Sequence, residues 1–281
     1  MLNLSRGSVT STPSRPRVRG GHIAALLSAV VLMGPGRVDA SNMHDAFYGA
    51  RYDEAAQAAL TRTVDDPGDL DAYDVRSSAR LFQLKAVLDH VSNKEQALRQ
   101  CRECAVWLDE CAAASASGLR VARARLEADP ADETAKYFVG KLNLNYLWLQ
   151  LGPLGKKTGW SVYWDARRAL DAVLASNPHH VRARVARAWV EYIVGTRVPR
   201  GTRWILGGGN RRRALGAMRE AAKSPADGYA AIEAKFALWE MLVREEQWGE
   251  AASIAQGLIG DFPENPSLLK FLEARGHAVN E

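Results

Sequence analysis

An alanine and a proline twelve residues apart recur along this chain: Ala55 with Pro67, Ala166 with Pro178, and Ala251 with Pro263. A weaker copy runs from Gly118 to Pro130, and a degenerate one from Ala214 to Ala226, where the proline is missing. Proline lacks the N–H that a helix interior needs and its ring clashes with the preceding turn. Each copy therefore reads as a short amphipathic helix that carries a small residue near its start and stops before the proline. Repetition of one helix-ending signal predicts a stacked helical array in which each unit packs on its neighbours, rather than a single catalytic core. The chain has 281 residues, room for about five to six helical hairpins of roughly 34 residues with insertions. Long alternating strand patterns are missing, and proline and glycine cluster between the helical runs. The expected fold is all-α, a right-handed α-solenoid of stacked antiparallel helix pairs.

The periodicity predicts helices over 44–66 (or two short ones broken near Gly49), 69–90, 94–113, 116–128 and 132–151, then 161–176, 181–194, 210–223, 228–246, 249–260 and 265–275. The helix over 132–151 is apolar almost all round, as expected of one buried on several sides. Its polar residues fall on two narrow stripes, one of which holds Thr134, Lys141 and Asn145. In 181–194, Arg184, Arg187 and Glu191 form one stripe, with Arg182, Val185, Trp189 and Ile193 roughly opposite.

The best-kept copies resemble the tetratricopeptide repeat (TPR), whose second helix carries an aromatic three residues before a small residue and a proline twelve after it. Tyr52, Ala55, Asp66 and Pro67 match that run, as do Tyr163, Ala166, Asn177 and Pro178, and Trp248, Ala251, Phe262 and Pro263. Gly140 falls where the family's eighth-position glycine would, counted from Pro130. The resemblance covers residues 44 to 275. It implies a TPR-like fold, and it puts Thr134, Lys141 and Asn145 on the inner groove and Arg184 and Arg187 on a packing face. Two buried arginines there would be costly, so a register shifted by a residue is expected for that helix. Within the superfamily the chain looks most like exported bacterial members such as the periplasmic component associated with TRAP transporters, on the leader and on Leu206-Gly207-Gly208 opening a helix.

Residues 1–40 are read as a signal peptide and 41–281 as the repeat domain. Arg15, Arg17 and Arg19 precede an apolar run, Ile23 to Met33. Gly34, Pro35 and Gly36 break the run, and Val38-Asp39-Ala40 suits cleavage after Ala40. The protein is expected in the periplasm or secreted, with membrane contact only if the leader stays uncleaved. Residues 1–40 hold five arginines and one aspartate, so the totals of 37 basic and 32 acidic residues become 32 and 31. The basic balance belongs to the leader and gives no ground for nucleic-acid binding.

Cys101, Cys104 and Cys111 lie in one segment. No histidine follows the CxxC pair for haem attachment, and no second pair completes a zinc site. On a continuous helix all three share a face with Ala97 and Leu108. They are read as structural residues of a buried face, the alternative being a disulfide or redox role in an oxidising compartment.

Two insertions depart from the plain repeat. Gly152–Trp160 contains Lys156, Lys157 and Trp160, and Gly195–Gly209 contains Arg197, Arg200, Arg203 and Trp204. Both join the first to the second helix of adjacent hairpins, so they are expected to meet in one recognition edge. No acid occurs between Glu191 and Glu220. The Gly207–Asn210 helix start with its arginines would favour an anionic group, although GGGN is neither a Walker nor a dinucleotide motif. The histidine pair His179-His180 and the carboxylate pair Glu245-Glu246 are expected to be solvated. No GxSxG or HExxH pattern occurs, and catalytic residues, metal and cofactor are all expected to be absent. The reading is an exported scaffold or adaptor that binds a protein or peptide through its concave surface and basic edge. The alternative is a solute- or lipid-binding accessory subunit of a TRAP-type uptake system. An internal channel with apolar and amphipathic walls would favour that alternative.

Overall fold

The computed structural model describes residues 40–88, 91–155, 160–226 and 228–278, all within one compact unit that begins at Val38. Among them the fold is all-α. The helices are α1 (Ala40–Tyr48), α2 (Tyr52–Asp65), α3 (Leu70–Leu88), α4 (Lys94–Gln100), α5 (Arg102–Ala128), α6 (Glu133–Leu151), α7 (Trp160–Ser176), α8 (Val181–Arg197), α9 (Arg211–Lys223), α10 (Tyr229–Arg244), α11 (Trp248–Asp261) and α12 (Pro266–Ala278). A short 3-10 helix, Arg200–Leu206, lies between α8 and α9. Successive helices pair as α1/α2, α3/α5, α6/α7, α8/α9 and α10/α11, and α12 packs on α11 as a half-repeat cap. This is the stacked array of antiparallel helix pairs that the alanine–proline spacing predicts.

The proline turns show how sequence writes each connection. Asp66, Asp129 and Asn177 precede proline, the first two in extended backbone, and each accepts with its side chain from the N–H two residues on, in Gly68 (2.8 Å), Ala131 (2.9 Å) and His179 (3.2 Å). Two residues past the proline, Asp69, Asp132, His180 and Asn265 cap the next helix, accepting from the N–H of Ala72, Ala135, Ala183 and Leu268. Capping side chains satisfy donors that the first helical turn leaves open. In the degenerate copy α9 ends at Lys223, ahead of Ser224-Pro225, so a proline one position early does the same work. His180 is half-buried against Tyr137, ring centroids 5.0 Å apart, and is a cap rather than a solvated residue.

Small residues sit where paired helices touch. Ala55, Ala166 and Ala251 are all 0% exposed. A Cβ on Gly140 would lie 2.6 Å from Leu170 Cγ and 3.3 Å from the Ala166 carbonyl oxygen, so α6 and α7 approach through the glycine and alanine that the sequence marks. Replacing Ala251 with Leu is expected to overpack its contact and cost about 1–3 kcal/mol. An unchanged urea midpoint for that variant would mean that the contact is looser than described.

The cysteine segment corrects the sequence reading. The helix expected over 94–113 breaks at Cys101, where the backbone turns extended (φ −87°, ψ 106°), and one helix then runs on to Ala128. Cys101 is bonded to Cys104 as a disulfide, and its sulfur also accepts from the Cys104 N–H at 3.1 Å. Despite the break, Cys101, Cys104 and Cys111 pack in one apolar cluster with Ala97 and Leu108, the shared surroundings that the sequence implied. Cys111 alone is a free buried thiol. It donates to the Ser77 carbonyl at 3.3 Å, and burial pushes its pKa up to about 12.

Candidate functional site

The first helices of the hairpins face one another across an interior cavity, and four of them present the same spacing to it. Ser78, Leu81, Phe82 and Lys85 of α3 line it. So do Lys141, Leu144, Asn145 and Trp148 of α6, Arg182, Val185, Ala186 and Trp189 of α8, and Glu233, Phe236, Ala237 and Glu240 of α10. Each set runs i, i+3, i+4, i+7, one face of an α-helix. His44, Phe47 and Tyr48 of α1 begin the same pattern. The first position of every set is polar and the two middle positions are largely apolar. The last is Lys85, Trp148, Trp189 or Glu240. Layers of like character therefore stack around a space of 570 Å³.

The space is bounded on that side because the array meets its own beginning. Asn265, between α11 and α12, donates to the Tyr48 carbonyl at 2.7 Å while its oxygen caps α12. The Tyr229 hydroxyl reaches Asp45 at 3.0 Å. His44 stacks on Tyr229 with centroids 4.3 Å apart, and Tyr48 stacks on Phe236 at 5.2 Å. The concave surface expected to bind a partner is the inner wall of this ring.

Arg182 is the hub of the polar layer. Its guanidinium donates to Glu233 at 2.6 Å, Asp71 at 2.8 Å and Asp74 at 3.1 Å, and it lies over the Tyr137 ring at 5.0 Å. Asp74 also accepts from Lys141 (3.1 Å) and Asn145 (2.8 Å), and Asp71 pairs with His44 Nε2 at 2.5 Å. Burial alone would raise the Asp71 pKa. The His44 hydrogen bond and the Arg182 charge overcome that and hold the carboxyl well below the usual range. Near the other end of the wall, Lys85 and Arg244 reach Glu240 at 3.2 and 2.7 Å, and against the cost of burial they lower its pKa to about 2. The three cations in the wall, Lys85, Lys141 and Arg182, thus face three wall carboxylates, Asp74, Glu233 and Glu240, and each is already paired with at least one of them. Trp239, also in the wall, keeps its indole N–H buried with no acceptor among the described residues.

Of the residues singled out by sequence, Lys141 and Asn145 line the cavity, whereas Thr134 is exposed and outside its wall. Arg184 and Arg187 do point away from the cavity. Arg184 donates to Ser224 at 2.6 Å and Arg187 to Asp171 at 2.6 Å, so both are satisfied at half-buried positions. Glu245, expected to be solvated, is half-buried and accepts from the Tyr192 hydroxyl at 2.7 Å. Arg182 was visible only as a member of the stripe with Val185 and Trp189. The i, i+3, i+4, i+7 recurrence across four helices would have identified it.

Lys156 and Lys157 of the first insertion lie outside the described residues, as does the side chain of Trp160. The second insertion is a compact excursion with a pinched neck. A Cβ on Gly209 would fall 2.6 Å from the Gly195 nitrogen, and one on Gly195 would fall 2.9 Å from the Arg211 nitrogen, so the two sides of the neck touch backbone to backbone. The tip is the 3-10 helix. Arg203 turns inward and donates to the Val198 carbonyl at 2.8 Å, whereas Arg200 and Trp204 are exposed. From α7, the Tyr163 hydroxyl donates to the Leu206 carbonyl at 2.8 Å, and Arg167 donates to the carbonyls of Leu206 and Gly207. Gly207 and Gly208 take left-handed φ of 72° and 79°. Asn210 caps α9 by accepting from the Arg213 N–H at 3.0 Å, so this side chain occupies the place where an anion was expected.

No known family model matches this sequence, and no curated protein matches it. Among solved structures, a tetratricopeptide repeat protein from Parabacteroides merdae matches over 82% of this chain and 94% of its own, at 12% identity and a TM-score of 0.30.

Proposed function

We propose that this protein is a binding scaffold, not an enzyme, and that it holds one largely apolar molecule without net charge inside the ring of first helices. The observation that carries this reading is the cavity itself. Its middle layers are apolar, and its charged residues are already neutralised by one another. A charged ligand entering such a wall would lose its hydration and find no unpaired counter-charge, a cost of several kcal/mol. A neutral ligand would gain about 25 cal/mol for each Å² of apolar surface it buries. A volume of 570 Å³ falls within the range of about 300–1,000 Å³ typical of small-molecule sites. A folded protein partner, or a helix, does not fit there. This favours the solute-binding reading over the peptide groove. The order of residues 15–40 adds an exported location to the proposal, for which a mature N-terminus at Ser41 is the check.

The test uses two probes that share a ring system, neutral N-phenyl-1-naphthylamine and anionic 1-anilinonaphthalene-8-sulfonate. The neutral probe is expected to saturate at one per chain and to bind more tightly than the anion. Ala86 lines the cavity and is exposed, so Ala86→Trp should fill the space without overpacking a core. It is expected to weaken the neutral probe at least about tenfold, near 1.4 kcal/mol, at an unchanged melting temperature. Equal binding of the two probes, or indifference to Ala86→Trp, would sink this reading.

A further inference from the structure

We infer that the excursion Gly195–Gly209 is a docking tip for an anionic membrane surface. Trp204 is 76% exposed and its neighbour Ile205 is 44% exposed, a large aromatic and a branched aliphatic side by side at the apex. The Trp204 indole makes no ring, hydrogen-bond or cation–π contact among the described residues. Arg197 and Arg200 of the same excursion, and Arg212 beside its neck, are exposed, and their side chains carry no ion pair or hydrogen bond among the described residues. That contrasts with Arg211 and Arg213, which pair with Glu245 and Glu191. The tip thus carries unpaired positive charge in a stretch where no acid occurs between Glu191 and Glu220.

The tip is ordered in advance. Arg203, Tyr163 and Arg167 tie down the carbonyls of Val198, Leu206 and Gly207, and the Gly195–Gly209 neck holds the two ends together. An ordered tip keeps Trp204 in water at a steady cost and loses little conformational entropy on docking. Two kinds of acidic surface could meet the arginines. An acidic protein would also need an apolar pocket shaped for Trp204 and Ile205. A bilayer interface accepts an indole and an aliphatic chain without shape, while its anionic headgroups meet the arginines. No helix among the described residues is long and apolar enough to cross a membrane, so this would be contact at the surface. The charge and the apolar apex together favour the bilayer.

The experiment reads the tip directly, whatever else in the full chain touches lipid. Cys111 is buried and Cys101 is bonded to Cys104, so an Ile205→Cys variant takes an environment-sensitive thiol fluorophore at one accessible site. With vesicles containing phosphatidylglycerol the label is expected to shift to the blue, and with phosphatidylcholine alone it should stay in water. Adding Trp204→Ala should lower the apparent vesicle affinity read by the label about tenfold. Adding Arg197→Ala with Arg200→Ala should lower it about fivefold for each arginine, with a loss of similar size on raising salt. A label that stays in water with anionic vesicles overturns the proposal. So does a shift that survives loss of Trp204 and both arginines, or one produced by a soluble acidic protein but not by lipid.

Discussion

Arg182→Met lowers the free energy of unfolding by about 3–5 kcal/mol, the cost of stripping a buried ion network of one partner. The arginine faces Asp71, Asp74 and Glu233 from two other helices, at 2.6 to 3.1 Å. Methionine keeps much of the volume and the contact with Tyr137 and Phe138, but it leaves three carboxylates with only His44, Lys141 and hydrogen bonds for relief. For a domain of this size the loss should appear as a fall in melting temperature of about 8–15 °C. Arg182→Lys should fall between parent and methionine, because an ammonium carries the charge but cannot present a planar fork to three acids at once. A methionine variant that melts within a degree of the parent would show that the three carboxylates tolerate one another, and the hub would lose its structural meaning. Because Asp71 and Asp74 belong to α3 and Glu233 to α10, the damage should fall on the closure of the ring more than on any single hairpin.

That closure is the part of the fold the sequence did not disclose. Most helices and their order were legible, because three of the turns are written locally by an aspartate or asparagine before proline, a capping side chain two residues after it, and a small residue inside. The break expected at 114–115 is absent, and α5 runs through it. Ala55, Ala166 and Ala251 were expected to be buried and are. Ring closure depends instead on a small rotation per repeat, summed over five hairpins, and no single residue encodes it. Asn265 and Tyr48 meet across 217 positions, and neither advertises the other. For the same reason the inner face was only half legible. Lys141 and Asn145 were placed on it by register, but Arg182 was set aside with the apolar side of its helix, since one helix alone does not say what its stripe faces. The cysteines were half legible. Their shared apolar surroundings were expected, whereas the break at Cys101 and the bond to Cys104 replace the plain buried face. The excursion at Gly195–Gly209 was recognised by its arginines and glycines, while its ties to Tyr163 and Arg167 are tertiary and leave no local trace.

The second large effect is acid lability of the ring. Asp71 and Glu240 both have folded pKa values below their unfolded ones, Asp71 strongly so and Glu240 at about 2 against an ordinary 4.5. The unfolded chain therefore binds protons first as pH falls. Stability from these groups is full above their unfolded pKa values and is lost as pH drops through the folded ones, a window from about pH 5 to about pH 2. At 1.36 kcal/mol per unit, Glu240 alone accounts for at most about 3 kcal/mol. Its side chain is still 29% exposed, so solvent should reduce that figure. The melting temperature is expected to stay level above about pH 5 and to fall steeply below it. Glu240→Gln separates this cause from general acid denaturation. The amide cannot take up the proton, so the variant should begin less stable at neutral pH and then lose less than the parent on acidification. Parent and variant converging toward pH 2 is the expected outcome. Parallel curves would mean that the Lys85–Glu240–Arg244 cluster does not hold the carboxylate as described, and that the wall of the cavity is not neutral at that end.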